Sequence, residues 1–401
     1  MNEALRDPIK SQLYMERYVN RGSPSGFSSV NTTSLETSHL GEERTFWLHA
    51  VRPSSSSKIV EFGESSFIEP GLILIHPDLV DSCPLLDNGK LIRNFIEVAP
   101  TSSDRTVQAV AEPNLYFKLS YPPLIGRISR QLGLAQAEAA VWVTHSIDRA
   151  VRNVDPRFRF LREGYARVAV TKSPRSVEWG FAIRDRYPSP EHPRVDLMIP
   201  GFSLFSRDRY SPTDDFLLYQ LFRRQQKPLI DFVFEDLIKP LIDSYFSLIV
   251  NCGLQLEAHA QNILFGIDGE GRITSVVARD AESIDRDISL MDELKIVCER
   301  PAGSYKIIQR SDYNYQIMHS FMYDFKMGEY LIRPIMECAS ECEDLNPADL
   351  SARVQQCARN WLAHLPNDFF PADGCWYSYE NVVHDRKRRR EYVATPDPQF
   401  R

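Results

Sequence analysis

In the first half of the chain, apolar positions come in short runs interrupted by turn chemistry. SKIVEF, GLILIHP and LIRNFIEVAP, all within residues 57–100, are separated by Gly, Pro and Asn-Gly, the punctuation of strands and turns. NLYFKLSYP at 114–122 alternates Leu115, Phe117 and Leu119 with Tyr116, Lys118 and Ser120. A period of two predicts a strand with Lys118 on its polar face. The spacing of 125–151 predicts a helix starting just after Pro122-Pro123. RFRFLREGYARVAVTK (157–172) and VEWGFAIRDRYP (177–188) read as two strands joined by a turn at Ser173-Pro174, and VDLMIPGFSLFS follows at 195–206.

From Asp214 the period changes to that of helices: DFLLYQLFRRQQ, the long apolar stretch 232–254, 311–341 and 347–365. One β-hairpin interrupts them, NILFGIDGEGRITSVVARD at 262–280, with Asp268-Gly269 and Glu270-Gly271 supplying the turn. Residues 1–60 combine a short charged helical stretch with a Ser-, Gly- and Thr-rich segment that has little apolar surface to bury. The division that follows is an arm, partly flexible, over 1–60, a β-rich unit over 61–200 and an α-rich unit over 201–401. The fold class is α+β.

Composition narrows the function classes. With 401 residues, 47 Lys plus Arg against 54 Asp plus Glu and a net charge of −7, nothing pulls the chain as a whole toward nucleic acid or an anionic membrane. No apolar run approaches the ~18 residues of a membrane span, and the charged amino terminus lacks the apolar core of a signal peptide. A soluble, cytoplasmic protein is expected. The 7 cysteines are scattered without a CxxC pair, as in a reducing compartment. Cys338 and Cys342, spaced i, i+4, read as buried thiols rather than zinc ligands. Arg386 to Arg390 in the tail reads as a solvated basic end.

Two polar constellations could carry chemistry. Glu257-Ala258-His259-Ala260-Gln261-Asn262 precedes the hairpin, and the hairpin's open end returns Asp280 toward Asn262. Oxygen donors of this kind suit Mg²⁺ shared with phosphates. The second is Pro100-Thr101-Ser102-Ser103-Asp104-Arg105-Thr106, followed by Lys118 on its strand and by Arg127 and Arg130 near the expected helix start. Hydroxyls beside Arg and Lys can cradle a triphosphate. Glu163 and Arg184 read as an ordinary cross-strand ion pair.

In order along the chain, PTSSDRT (100–106), KLSYPPLIGRISR (118–130), FLREG (160–164), AIRDR (182–186), GLQLEAHAQN (253–262) and ARD (278–280) resemble the motifs of the NRPS-independent siderophore (NIS) synthetases, the aerobactin-synthetase family. The resemblance covers roughly residues 95–340. It implies a cupped-hand fold, a β-rich fingers region packed against a mainly helical palm. It also implies a short member with a reduced amino-terminal region, the Ser-rich arm standing in its place. By the same resemblance Ser103, Arg105, Lys118 and Arg130 hold ATP phosphates from the fingers, and His259, Asn262 and Asp280 hold nucleotide from the palm. Glu257, Asn262 and Asp280 would take Mg²⁺, and Arg105, Lys118, Arg130 and His259 would be catalytic. Two departures stand out: Gly126 replaces a hydroxyl residue, and Ala260 replaces the Gly of H-G-Q-N.

The implied reaction is ATP- and Mg²⁺-dependent activation of a carboxylic acid, citrate or similar, as an acyl-adenylate. An amine or hydroxyl nucleophile then attacks it, within siderophore or related biosynthesis. Small-molecule carboxylates and amines or alcohols are the expected partners, with neither nucleic acid nor membrane, and a homodimer is left open. A kinase-like phosphotransferase and a catalytically silent nucleotide-binding homologue are the alternatives. The first lacks a glycine-rich phosphate loop before Lys118.

Overall fold

The computed structural model describes residues 6–20, 45–103, 105–125, 128–172, 176–191, 195–297, 303–342, 345–384 and 387–401, without the side chains of 123–129, 342 and 381–390. Eight antiparallel strands form the larger sheet. Their order is Lys58–Gly63, Tyr165–Val170, Glu178–Asp185, Leu115–Leu119, Thr106–Ala109, Lys90–Pro100, Phe46–Arg52 and Ile73–Ile75. Alternation gives this sheet two distinct faces. Val107, Phe117, Leu119, Phe181 and Ile183 pack into one apolar core with Leu48, Leu72 and Leu74. Register sets Thr106 opposite Lys118 and Lys118 opposite Ala182, so Lys118 and Arg184 share the other face. That polar face is no solvent surface, because Lys118 is 1% exposed.

The second core is helical. The apolar stretch 232–254 forms a helix over 229–252 that contains a widened π turn, Phe232–Ile238, just before Pro240. Proline lacks an N–H and crowds the preceding turn, and a π turn accommodates both. Gly253 ends this helix at φ 64°, the left-handed geometry glycine adopts without strain. A second helix, over 315–342, contains the π segment Phe321–Ile332, and Pro347–Leu362 follows. These helices bury Leu241, Phe246, Leu331 and Val354 against a five-stranded sheet. In that sheet Ile263–Ile267 pairs with Ile273–Ala278, as the hairpin signal predicts, and Leu197–Pro200 and Phe158–Leu161 flank the pair.

The structure departs from the pattern at four places. The helix expected from 125 begins at Leu134, and Tyr121–Ile125 pairs instead with Ile128–Arg130. Pro122 and Pro123 oppose a helix here and fall at the irregularity between Tyr121 and Leu124, where they have no ladder partner, while β-branched Ile125 and Ile128 favour the ladder. The first helical N–H groups find acceptors only further on, where Gly133 donates to Gln136 Oε1 at 3.1 Å and Leu134 to Glu178 Oε2 at 2.8 Å. Arg130 is therefore a strand residue, and the Gly126 position and the Arg127 side chain lie outside the described residues.

Second, 157–172 is two strands in two sheets. The chain crosses between them at Glu163-Gly164, where Glu163 N–H donates to Thr144 Oγ1 at 3.1 Å instead of to a ladder. Third, besides the expected helix, Pro8–Tyr18, capped by Asp7, the 1–60 arm contributes the strand Phe46–Arg52 to the large sheet. Met15 and Val19 belong to the helical core. Strands from the 61–200 range also complete the palm's sheet, so the two units interleave around residue 200. Fourth, Cys375–His384 pairs with Lys387–Pro396 as a hairpin, so Arg388 to Arg390 lie on a strand and Arg386 lies outside the described residues. Cys338 is buried, as expected, and the Cys342 side chain is outside the described set.

Candidate active site

The turn after Lys90–Pro100 is tied by its own hydroxyl: Thr101 Oγ1 donates to Thr106 O at 2.7 Å, and Ser103 N–H donates to Thr101 Oγ1 at 3.3 Å. This geometry sets Ser103 at a cavity rim and Arg105 at the mouth of the next strand, where Leu119 N–H meets Arg105 O at 2.8 Å. Lys118 reaches the same place from its neighbouring strand, and Arg184 from the one beyond. Arg105 is ion-paired with Glu282. Lys118 is paired with Asp280 and lies 3.3 Å from Glu282 and 3.6 Å from Glu163. Arg184 Nε donates to Glu163 Oε1 at 2.8 Å, and its Nη2 lies 3.1 Å from Asp280.

Opposite stands the palm. After Gly253 the chain turns tightly through 257–262, with His259 N–H bonded to Glu257 O at 3.0 Å and Asn262 N–H to His259 O at 2.9 Å. Asn262 Nδ2 donates to Glu257 O at 3.2 Å and Ser283 Oγ at 3.4 Å. Arg279 N–H closes the hairpin on Asn262 O at 3.0 Å. Asp280 then adopts a left-handed conformation, φ 77°, which Asp tolerates better than most residues. This directs the chain into the tight turn Ala281–Ser283 and sets Glu282 beside Asp280 in the wall.

Between the two sides lies a cavity of about 220 Å³, lined by Ser103, Arg105, Arg130, Glu257, His259, Asn262 and Asp280 among others. The eight residues that the resemblance assigns to the site therefore meet here, seven in the wall and Lys118 directly behind it, bonded to Asp280. Sequence reasoning missed several neighbours. Glu282, Tyr305 and Lys306 also line the cavity, beside Gln261 and Arg279 of the quoted motifs, and Lys326 reaches Glu257 at 2.8 Å from the π segment. Glu163 and Arg184, read as an ordinary pair, belong to the cluster. Arg279 is clamped between Gln261 O, at 2.7 Å, and Glu16 of the amino-terminal helix. The signal for Glu282 is its place two residues after Asp280; nothing in SYKIIQR marks Lys306.

Charge dominates this site. Burial disfavours the charged form of Glu257, but Lys326 and His259 prevail and hold its carboxyl down at about 2. Burial lowers the His259 imidazole to about 4, only partly offset by Glu257, so His259 is neutral at pH 7. Burial opposes ionisation of Asp280 as well, yet Lys118, Arg184 and Arg105 keep it well below the usual carboxylate range. Arg130 is lowered by burial and by Arg105 alongside.

The donor set fits a polyphosphate: guanidinium forks, Lys306 and the hydroxyls of Thr101 and Ser103 face one space. For a metal the fit is narrower. Glu257 and Asp280 sit in separate ion pairs, with Lys326 and with Lys118. Among the described residues no group of three or more His, Cys, Asp or Glu could hold a metal ion. One or two carboxylates plus phosphate oxygens and water is nevertheless ordinary Mg²⁺ coordination. No helix of the described residues is long and apolar enough to cross a membrane.

No protein-family model matches the sequence, and no curated protein matches it. Solved structures do. Aerobactin synthetase IucC from a hypervirulent pathotype of Klebsiella pneumoniae superposes with a TM-score of 0.68 at 14% identity, over 92% of this chain and 72% of that one. The petrobactin biosynthesis protein AsbB from Bacillus anthracis str. Sterne gives 0.66 at 14% identity, over 89% and 69%. ATP-bound aerobactin synthetase IucA from the same Klebsiella pathotype gives 0.61 at 16%, over 83% and 66%. Against another IucA structure the chain spans 65% of that protein's length. The fold of this chain is that of the NIS synthetases.

Proposed function

We propose that the chain is an ATP- and Mg²⁺-dependent carboxylate ligase. In this reading it activates a carboxylic acid, citrate or similar, as an acyl-adenylate and condenses it with an amine or hydroxyl nucleophile, in siderophore or related natural-product biosynthesis. The observation that carries the reading is the meeting of Arg105, Lys118 and Arg184 from one sheet with His259, Asn262 and Asp280 from the hairpin end, around one cavity. The match to an ATP-bound synthetase of the same fold supports it.

Each group has a definable task. Arg105 and Arg130 supply forked donors for phosphate oxygens and oppose the charge that grows on departing pyrophosphate. Lys118, fixed by Asp280, holds that carboxylate ionised at the cavity wall. Neutral His259 can donate or accept a hydrogen bond without adding charge. Mg²⁺ would be held by Asp280, with Glu257 and Asn262 near, and would neutralise phosphate charge when bound. The test is incubation with ATP, Mg²⁺, a panel of di- and tricarboxylates and hydroxylamine. A hydroxamate with AMP is expected; ADP as the nucleotide product points to a kinase, and ATP binding without turnover of any acid to a silent homologue.

A further inference from the structure

Three cations meet three carboxylates at the fingers wall, Arg105, Lys118 and Arg184 against Glu163, Asp280 and Glu282, so these six charges offset one another. The carboxylates are not equivalent. Glu163 is 0% exposed, lies behind the wall and is fixed by two bonds from Arg184. Glu282 is in the wall itself. Its Oε1 sits between Arg105 Nη2 and Lys118 Nζ, the seat a phosphate oxygen would take between a guanidinium and an ammonium. Its Oε2 is buried and makes no hydrogen bond, although the side chain is only 8% exposed. The tight turn Ala281–Ser283, held by Ser283 N–H to Asp280 O at 3.0 Å, keeps Glu282 and Asp280 together on that wall.

A polyanion entering this wall meets two carboxylates within reach of the cations it needs. Like charges at a few ångströms in a partly buried site repel strongly. The repulsion is relieved if a divalent cation lies between these carboxylates and the phosphate. The unbonded Glu282 Oε2 is a ready oxygen ligand for it, and Mg²⁺ is commonly shared in this way between one or two carboxylates and a phosphate chain.

We infer that Glu282 makes polyphosphate binding conditional on a divalent cation: its carboxylate turns away the metal-free chain from the Arg105–Lys118 seat and accepts the Mg²⁺ complex. Glu282 is thereby a specificity-determining residue, distinct from the residues that grip the phosphates. The inference rests on the nucleotide reading above.

Titration calorimetry with inorganic tripolyphosphate tests it without turnover. The purified chain is titrated with Mg²⁺ present, and with a chelator at matched ionic strength. The unaltered chain binds at least about tenfold more tightly with Mg²⁺. In Glu282→Gln, which keeps size and removes the charge, metal-free affinity rises on the order of tenfold and the Mg²⁺ gain shrinks to about threefold or less. Glu282→Ala carries the same expectation if the Gln variant does not fold. Equal binding with and without Mg²⁺ in the unaltered chain overturns the inference while leaving the phosphate site standing. Unchanged metal-free affinity in a folded Glu282 variant overturns it too. No tripolyphosphate binding under either condition removes the nucleotide reading, and the inference with it.

Discussion

Replacing Lys326 by Met probes the electrostatics of the palm directly. Lys326 is 2% exposed, and its ammonium lies 2.8 Å from Glu257 Oε1 and 5.3 Å from the centre of the Phe321 ring. Burial opposes the Glu257 charge, yet its carboxyl stands at about 2 rather than 4.5, with Lys326 the leading stabilising charge. A carboxylate favoured to that extent gains roughly 3 kcal/mol. Removing the lysine loses most of that and leaves a buried anion short of its partner, for which the expected cost is about 3–5 kcal/mol.

The assay is a double-mutant cycle by urea denaturation at pH 7 with Lys326→Met, Glu257→Gln and the pair. Because the double variant buries neither charge, the cycle should show a coupling of at least about 2 kcal/mol. The pH dependence adds a sign. Without Lys326, burial lifts Glu257 above its unfolded value, so the variant keeps its stability in acid and loses it as pH rises through that value. Additive effects within about 0.5 kcal/mol, or a deficit that does not shrink in acid, would refute this account of Glu257.

On the fingers side, Arg105→Ala or Lys118→Ala should weaken ATP binding by about 1.5–3 kcal/mol per lost charge-assisted bond, measured by calorimetry on variants whose circular dichroism is unchanged. His259 stands at about 4 when folded against an ordinary 6.5, so its neutral form contributes stability above pH 6.5 that is lost as pH falls toward 4. That contribution is about 3 kcal/mol at most, and His259→Gln should flatten the stability profile between those values. Unaltered steepness there would assign the acid limb to other groups.

Much of this site was legible because its residues lie at ends of elements with clear periods. Strand alternation marked Lys118, and the Asp268 to Gly271 turn signals fixed a hairpin whose open end had to return Asp280 to Asn262. The Arg105 turn carried its own hydroxyl and amide chemistry. What stayed hidden depended on contacts between distant segments. Glu16 looks like any charge on a short helix until the fold sets it against Arg279. Lys326 sits in an apolar helical stretch, and only the widened π segment and the docking of that helix aim it at Glu257. The break at Glu163-Gly164 leaves no mark in the sequence, because both halves of 157–172 have strand character and periodicity does not say which sheet each half joins. The helix start is ambiguous in the sequence because Ile125 and Ile128 at i, i+3 fit a helix as well as a tight ladder.

The most direct test of adenylation follows an oxygen atom. A carboxylate substrate uniformly labelled with ¹⁸O is incubated with the protein, ATP, Mg²⁺ and hydroxylamine, and the nucleotide and phosphate products are analysed by ³¹P NMR and mass spectrometry. If a carboxylate oxygen attacks the α-phosphorus and pyrophosphate leaves, attack of the nucleophile on the acyl carbon releases that oxygen with AMP. The account predicts one ¹⁸O in AMP and none in pyrophosphate. Label in inorganic phosphate, accompanied by ADP, would contradict it.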